Sequence, residues 1–181
     1  TLYGGRMEKY GDEIIGLDTG DPTKFTDWEQ FWDTYLAQQL NFIKHAFIQQ
    51  QIVINLRPQH FAVPMASAMH DLCMASCTDL HEPKIEGGID LGYFECIGYG
   101  TVVDSLAAIK KLVFEEKKLT LAEIIEALKV NFEGKEDIQA MLRNAPAYGN
   151  NDPYADSIAK AIDLESLKFT EKYSKELGVH L

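Results

Sequence analysis

The sequence predicts a mainly helical fold, and three observations carry that prediction. Apolar residues recur at helical spacing along most of the chain after Thr26. Two Thr-x-x-Glu pairs, Thr26 with Glu29 and Thr120 with Glu123, have the spacing of capping boxes. Pro and Gly fall between the periodic runs rather than inside them.

The chain has 181 residues, enough for one core, and its 46% hydrophobic content supplies one. Residues 1–25 read as loop, because Gly4-Gly5, Gly11, Gly16, Gly20 and Asp21-Pro22 crowd them. A long helix follows over 26–54, with Trp28, Phe31, Trp32, Tyr35, Leu36, Ile43 and Phe47 on its apolar stripe. Such a stripe serves a core more often than a cofactor groove. Arg57-Pro58 ends the pattern. Pro64 then opens a second helix, Met65 to Cys77, since Pro suits a first helical turn. Residues 78–100 read as irregular, with a short strand near Tyr93 to Ile97.

From 102 to 178 the pattern is helical again. Leu106, Ile109, Leu112 and Val113 mark one helix, and Ile124, Ile125 and Leu128 mark the next. Gly134 is placed to cap that second helix. Ile138, Met141 and Leu142 mark a third, which Pro146 ends. A last helix runs from Pro153 to Leu177 and stops at Gly178. There is no internal repeat.

Charge excludes some functions. Seventeen basic residues against twenty-eight acidic ones give a net charge of -11, which disfavours nucleic acid and anionic membrane surfaces. No apolar run approaches the roughly 20 residues of a membrane span. The three cysteines, Cys73, Cys77 and Cys96, are an odd number, against a secreted disulfide framework. A reducing cytoplasm is the expected compartment. Thr1 stands where an initiator Met would, so the chain is expected to be processed or part of something longer.

Local motifs are weak. Asp18-Thr19-Gly20 is the aspartic-protease tripeptide, but that chemistry needs two such aspartates in a nearly all-strand fold. An Asx-type turn is the simpler reading. Cys73 and Cys77 share a helix face near His70 and His81, yet no second matched pair completes a zinc site, so buried, inert thiols and no metal are expected. Gly98-Tyr99-Gly100 starts like a dinucleotide loop, but Val103 stands at the third glycine position. A tight turn or a close backbone approach explains the two glycines. His45 and His60 have no evident partner.

One longer resemblance is specific. The run from Gly98-Tyr99-Gly100-Thr101 through Asp104-Ser105-Leu106 to Val113-Phe114 resembles a stretch of the pyruvate formate-lyase-like glycyl radical enzymes. So do Asn131-Phe132-Glu133-Gly134, Tyr148-Gly149-Asn150-Asn151-Asp152, Gly20-Asp21-Pro22 with Phe25, and Gln38-Gln39-Leu40, in the family's order. The resemblance implies a mainly α segment of an α/β ten-stranded barrel. It implies a glycyl radical, installed by an activating enzyme that uses S-adenosylmethionine and an iron–sulfur cluster. That radical passes to a cysteine in a Cys-x-Glu motif. Cys73, Cys77 and Cys96 are followed at +2 by Ala75, Asp79 and Gly98, and no Arg-Val-x-Gly-Tyr run is present. The resemblance therefore places the radical cysteine before Thr1 and the radical glycine after Leu181, and leaves the segment inactive alone.

The subtype expectation rests on residues 86–96. Many members carry a Gly-Gly-Ala-x-Tyr-Asn-like run there. This chain has Glu86-Gly87-Gly88-Ile89-Asp90-Leu91-Gly92-Tyr93-Phe94-Glu95-Cys96. The departure favours the arylacetate decarboxylase branch, with a small aromatic acid such as 4-hydroxyphenylacetate as substrate. A diol dehydratase, a C–N lyase or a non-catalytic helical scaffold are the alternatives. A homo-oligomer and a small iron–sulfur subunit go with the favoured branch. By the same resemblance Glu95 is the carboxylate that takes the substrate's phenol proton, a task suited to a raised pKa in a closed pocket. A plain strand-end carboxylate is the competing reading.

Overall fold

A computed structural model describes residues 1–6, 13–82 and 96–177. Glu95 and the first part of the strand expected from Tyr93 to Ile97 fall outside the described residues, as does Gly178, while Cys96 and Ile97 are not in a strand. The chain divides into two compact units. One comprises Thr1–Phe42 and Cys96–Glu171, and the other Ile43–Glu95 and Lys172–Leu181.

Seven α-helices are described: α1 Trp28–His60, α2 Pro64–Ala68, α3 Asp71–Ser76, α4 Tyr99–Ile109, α5 Leu121–Lys129, α6 Glu136–Arg143 and α7 Pro153–Leu177. Among the described residues the only strand-like pairing is an antiparallel bridge between Arg6 and Ile14. A 3-10 turn, Pro22–Lys24, precedes α1.

The start of α1 lies one residue beyond the expected cap. The Asp27 carboxylate accepts from the Gln30 amide at 2.9 Å, and the Gln30 side chain accepts from the Thr26 amide at 3.3 Å. An ionised carboxylate is the better partner for the positive end of a helix, so Asp27 and Gln30 displace Thr26 and Glu29. The helix also outlasts its expected end at 54, running to His60 with Pro58 inside. Close to a terminus Pro forfeits one backbone bond, and the Phe61 amide closes the next turn on Arg57 at 2.8 Å.

The helix expected from Met65 to Cys77 is broken in two. Met69 leaves regular helical geometry and His70 is extended, with φ -112° and ψ 116°. Asp71 then enters the first turn of α3, where a negative charge favours a fresh start. Cys77 ends α3 in the left-handed region at φ 53°.

The second capping box forms as expected. Thr120 Oγ1 accepts from the Glu123 amide at 3.2 Å, and the Glu123 carboxylate accepts from the Thr120 amide at 2.8 Å. Helix α4 begins three residues before 102 and runs into a π-helical segment, Lys110–Glu115. Gly134 does not cap α5, which stops at Lys129. Instead Asn131 and Phe132 take positive φ, and the Phe132 amide reaches back to the Ala127 carbonyl at 2.7 Å. That turn keeps the Phe132 ring against the core.

The core of the first unit gathers Phe31 from α1, Val103, Leu106 and Ala107 from α4, Ile124 from α5 and Ile138 from α6. From α7 it takes Ala155, Ile158, Ala159 and Ile162, which is the i, i+3, i+4, i+7 face of one helix. The aromatic stripe of α1 is core, as the simpler reading held. Phe31 meets both Phe25 and Trp28, and Phe114 joins at 6.0 Å from Trp28 and 5.8 Å from Phe31.

Candidate functional site

The described chain resumes at Cys96, one residue after Glu95, and the head of α4 follows at once. Gly98 makes the turn at φ 80°, a left-handed conformation that suits glycine. Gly100 needs no such freedom, because a Cβ there would meet only a Tyr148 ring carbon at an ordinary 3.9 Å. The turn reading therefore holds at Gly98, and the close-approach reading does not hold at Gly100.

Tyr99 ties this head to the rest of the unit. Its hydroxyl lies 2.8 Å from the Ala159 carbonyl and 2.8 Å from Asp163 Oδ1, so one proton is shared between two acceptors on α7. Burial, then the bond to Asp163, holds the Tyr99 phenol well above its ordinary range. The Tyr148 ring meets Tyr99 edge-on at 5.7 Å, and the Tyr148 amide donates to Asp104 Oδ1 at 2.7 Å. Tyr35 belongs to the same corner. Burial pushes its phenol up to about 12, with the nearby Cys96 thiol adding to the shift. Both phenols are therefore neutral donors near pH 7. They hold structure and do not carry charge.

A cavity of about 480 Å³ opens beside α4. Ile109, Ile124, Leu128, Phe132 and Leu142 give it apolar walls, and Asp104, Gln139 and Arg143 supply its charged and amide groups. On another side of the unit, Lys110 lies 5.5 Å from the Trp28 ring centre and 5.2 Å from that of Tyr154. The cation sits between two aromatic faces that attract it.

The remaining sequence candidates resolve simply. Asp18 Oδ1 accepts from the Gly20 amide at 3.1 Å, which is the Asx turn and not half of a protease dyad. Cys73 is buried, as inert thiols are, whereas Cys77 is exposed. Among the described residues no three His, Cys, Asp or Glu side chains gather in a group able to hold a metal. His81 Nδ1 is 2.8 Å from the Phe61 carbonyl and 4.0 Å from Asp79, so its partners are local. No helix among the described residues is long and apolar enough to cross a membrane.

No local motif gives Tyr99, Asp104 or Asp163 a role. Their bonds join residues 44 to 64 positions apart, and no local spacing announces them.

The chain matches the pyruvate formate lyase-like family over residues 1–180. It belongs to that family. Among its relatives, this pyruvate formate lyase-like segment is 65% identical over 179 residues to the isethionate sulfite-lyase of Oleidesulfovibrio alaskensis. The match covers 99% of the segment but only 22% of the relative's length. The crystal structure of hydroxyproline dehydratase from Clostridioides difficile matches with a TM-score of 0.76 and 32% identity, over 93% of this chain and 21% of that one. The family segment is thus mainly helical in itself, as the resemblance implied.

The decarboxylase branch receives less support. The glycyl radical subunit of 4-hydroxyphenylacetate decarboxylase from Clostridium scatologenes is 36% identical over 107 residues, 47% of this chain. The expectation rested on residues 86–96 alone, and the similarity along nearly the whole chain points elsewhere.

Proposed function

We propose that this chain is part of a glycyl radical lyase that releases sulfite from isethionate, 2-hydroxyethanesulfonate. The observation that carries the reading is 65% identity over 179 residues to an isethionate sulfite-lyase, against 36% over 107 residues to the decarboxylase subunit. The reaction balances without an outside oxidant. The carbon–sulfur bond breaks, sulfite departs, and the hydroxyl-bearing carbon becomes the carbonyl of acetaldehyde.

A glycyl radical, installed by an activating enzyme with S-adenosylmethionine and an iron–sulfur cluster, would supply the radical that a cysteine uses to take a hydrogen atom from the substrate. None of Cys73, Cys77 and Cys96 begins a Cys-x-Glu motif, so in this reading the relay cysteine belongs to a longer polypeptide. The part played by this chain is framing. Tyr99, Asp163 and Tyr148 fix the head of α4 directly after Glu95. Glu95 is our candidate proton acceptor. A carboxylate repels a sulfonate, so in this reading it would serve the hydroxyl end of the substrate, where the proton is lost as the carbonyl forms.

The test uses the full-length polypeptide, activated anaerobically. Isethionate should yield sulfite and acetaldehyde in equal amounts, and 4-hydroxyphenylacetate should yield no 4-methylphenol. Glu95→Gln should lower kcat on isethionate by about a hundredfold. Formation of 4-methylphenol without sulfite would return the decarboxylase. An unchanged kcat in Glu95→Gln would remove the proton-acceptor role alone.

A further inference from the structure

Two cavities of the first unit adjoin at the end of α6. The apolar one beside α4, of about 480 Å³, is walled by Ile109, Ile124, Leu128 and Leu142. The other, of about 400 Å³, is polar, and Lys111, Arg143, Asn144, Asn150 and Asp152 line it. Arg143 and residues 145–147 line both, so the two are lobes of one hollow with a guanidinium where they meet.

The charges around this hollow are unevenly satisfied. Its carboxylates are engaged. Asp152 Oδ1 accepts from the Tyr154 amide at 2.9 Å, and Asp104 Oδ1, in the apolar lobe, accepts from the Tyr148 amide at 2.7 Å. Its cations are not. Among the described residues neither Lys111 nor Arg143 has a carboxylate within ion-pair distance. Glu116, the acid whose charge Lys111 feels, is held by Lys118 at 2.8 Å. Lys111 itself lies 6.0 Å from the Tyr154 ring centre. An arginine in the last turn of a helix ordinarily serves the terminal carbonyls. Arg143 does not, and the Asn144 amide closes α6 on the Ala140 and Leu142 carbonyls instead. The polar lobe thus sets two cations against one carboxylate, in a chain of net charge -11.

We propose that the two lobes form a binding site for an amphiphilic carboxylate. Arg143 and Lys111 hold its head, and the cavity beside α4 takes its hydrocarbon tail. A planar guanidinium matches a carboxylate with two parallel hydrogen bonds, and the surplus of one positive charge matches a single negative one. The apolar walls favour a ligand with a tail over a bare ion, and the volume is that of a small-molecule site. The proposal is independent of the isethionate reading.

The experiment is calorimetric titration of the full-length polypeptide with octanoate, beside octanol as the tail alone and acetate as the head alone. Octanoate should saturate one site per polypeptide. Octanol and acetate should each bind at least about tenfold more weakly. Arg143→Gln should weaken octanoate about tenfold, and Arg143→Lys, which keeps the charge and loses the fork, by less. Arg143 is exposed, so neither change disturbs the core. Absence of saturable octanoate binding would overturn the proposal. So would full affinity in Arg143→Gln, which would put octanoate elsewhere on the polypeptide. Acetate as tight as octanoate would leave the apolar lobe without a part, and octanol as tight would leave the cations without one. Either result overturns the site.

Discussion

Gln38 occupies a position that a count of apolar residues would give to a hydrophobe. It is 6% exposed, and its amide is spent on the backbone of the N-terminal loop. Its nitrogen donates to the Leu17 carbonyl at 2.6 Å, and its oxygen accepts from the Leu17 amide at 3.0 Å. The glycines opposite are matched to this arrangement. A Cβ on Gly16 would strike the Gln38 side chain, and one on Gly5, at φ 86°, would strike the Leu17 carbonyl. Gln38→Ala leaves a donor and an acceptor without partners, at a cost of about 2 kcal/mol. The expected readout is roughly thirtyfold faster hydrogen exchange at the Leu17 amide, with the amides of α5 unaffected. Unchanged exchange at Leu17 would show that the loop is held by something other than Gln38. The sequence displayed the glycines but not their purpose, because Gln38 and Leu17 are 21 positions apart.

Elements were most legible where their ends carry their own chemistry. Thr120 and Glu123 cap α5 because both partners sit within one turn, and Pro153 opens α7 where the pattern placed it. The single helix expected from Met65 to Cys77 breaks at His70, where Asp71 starts a fresh turn, and no proline or glycine in that stretch marks the break. Asp79 holds Val63 and Ser67, and the His81 amide donates to its other oxygen at 3.0 Å. The amide of His81, burial working against it, and then the bonds from Val63 and Ser67 leave the Asp79 carboxyl below its ordinary 3.8. A carboxyl depressed by folding adds stability that is fully present above its unfolded value. That stability is lost as pH falls through the lower, folded value. The difference in stability between wild type and Asp79→Asn is therefore expected to be full at neutral pH and to close in acid below 3.8. Thermal midpoints of the two proteins measured across that range check it. A difference that widens in acid would contradict the sign.

At the scale of the whole molecule the two units are unequally provided. The first has a continuous apolar core from five helices, and among the described residues the second buries only Phe47 and Cys73 of its apolar side chains. Residues 1–181 produced alone are therefore expected to bind a hydrophobic dye with several-fold enhanced emission, whereas the full-length polypeptide should not. A segment that melts in one cooperative step without binding dye would show that the second unit sustains itself. Helical periodicity made much of the first unit's core readable, since Leu106, Ile109, Leu112, Ile124 and Ile138, picked out by spacing, all lie in it. The candidate site was less readable. Glu95 lies outside the described residues, and the Tyr99 corner is assembled from α1, α4, α7 and the loop after α6.

The aromatic stripe of α1 also has an optical consequence. Both tryptophans of the chain, Trp28 and Trp32, stand in the first turns of that helix, in the first unit, with their rings 5.7 Å apart. Lys110 places an ammonium over one of the two indoles. Tryptophan emission from this chain thus reports the first unit alone, and the second can loosen without a change in colour. Tyr173, whose ring lies 6.2 Å from Phe47 and under the Lys44 ammonium, is a chromophore placed to register that loosening.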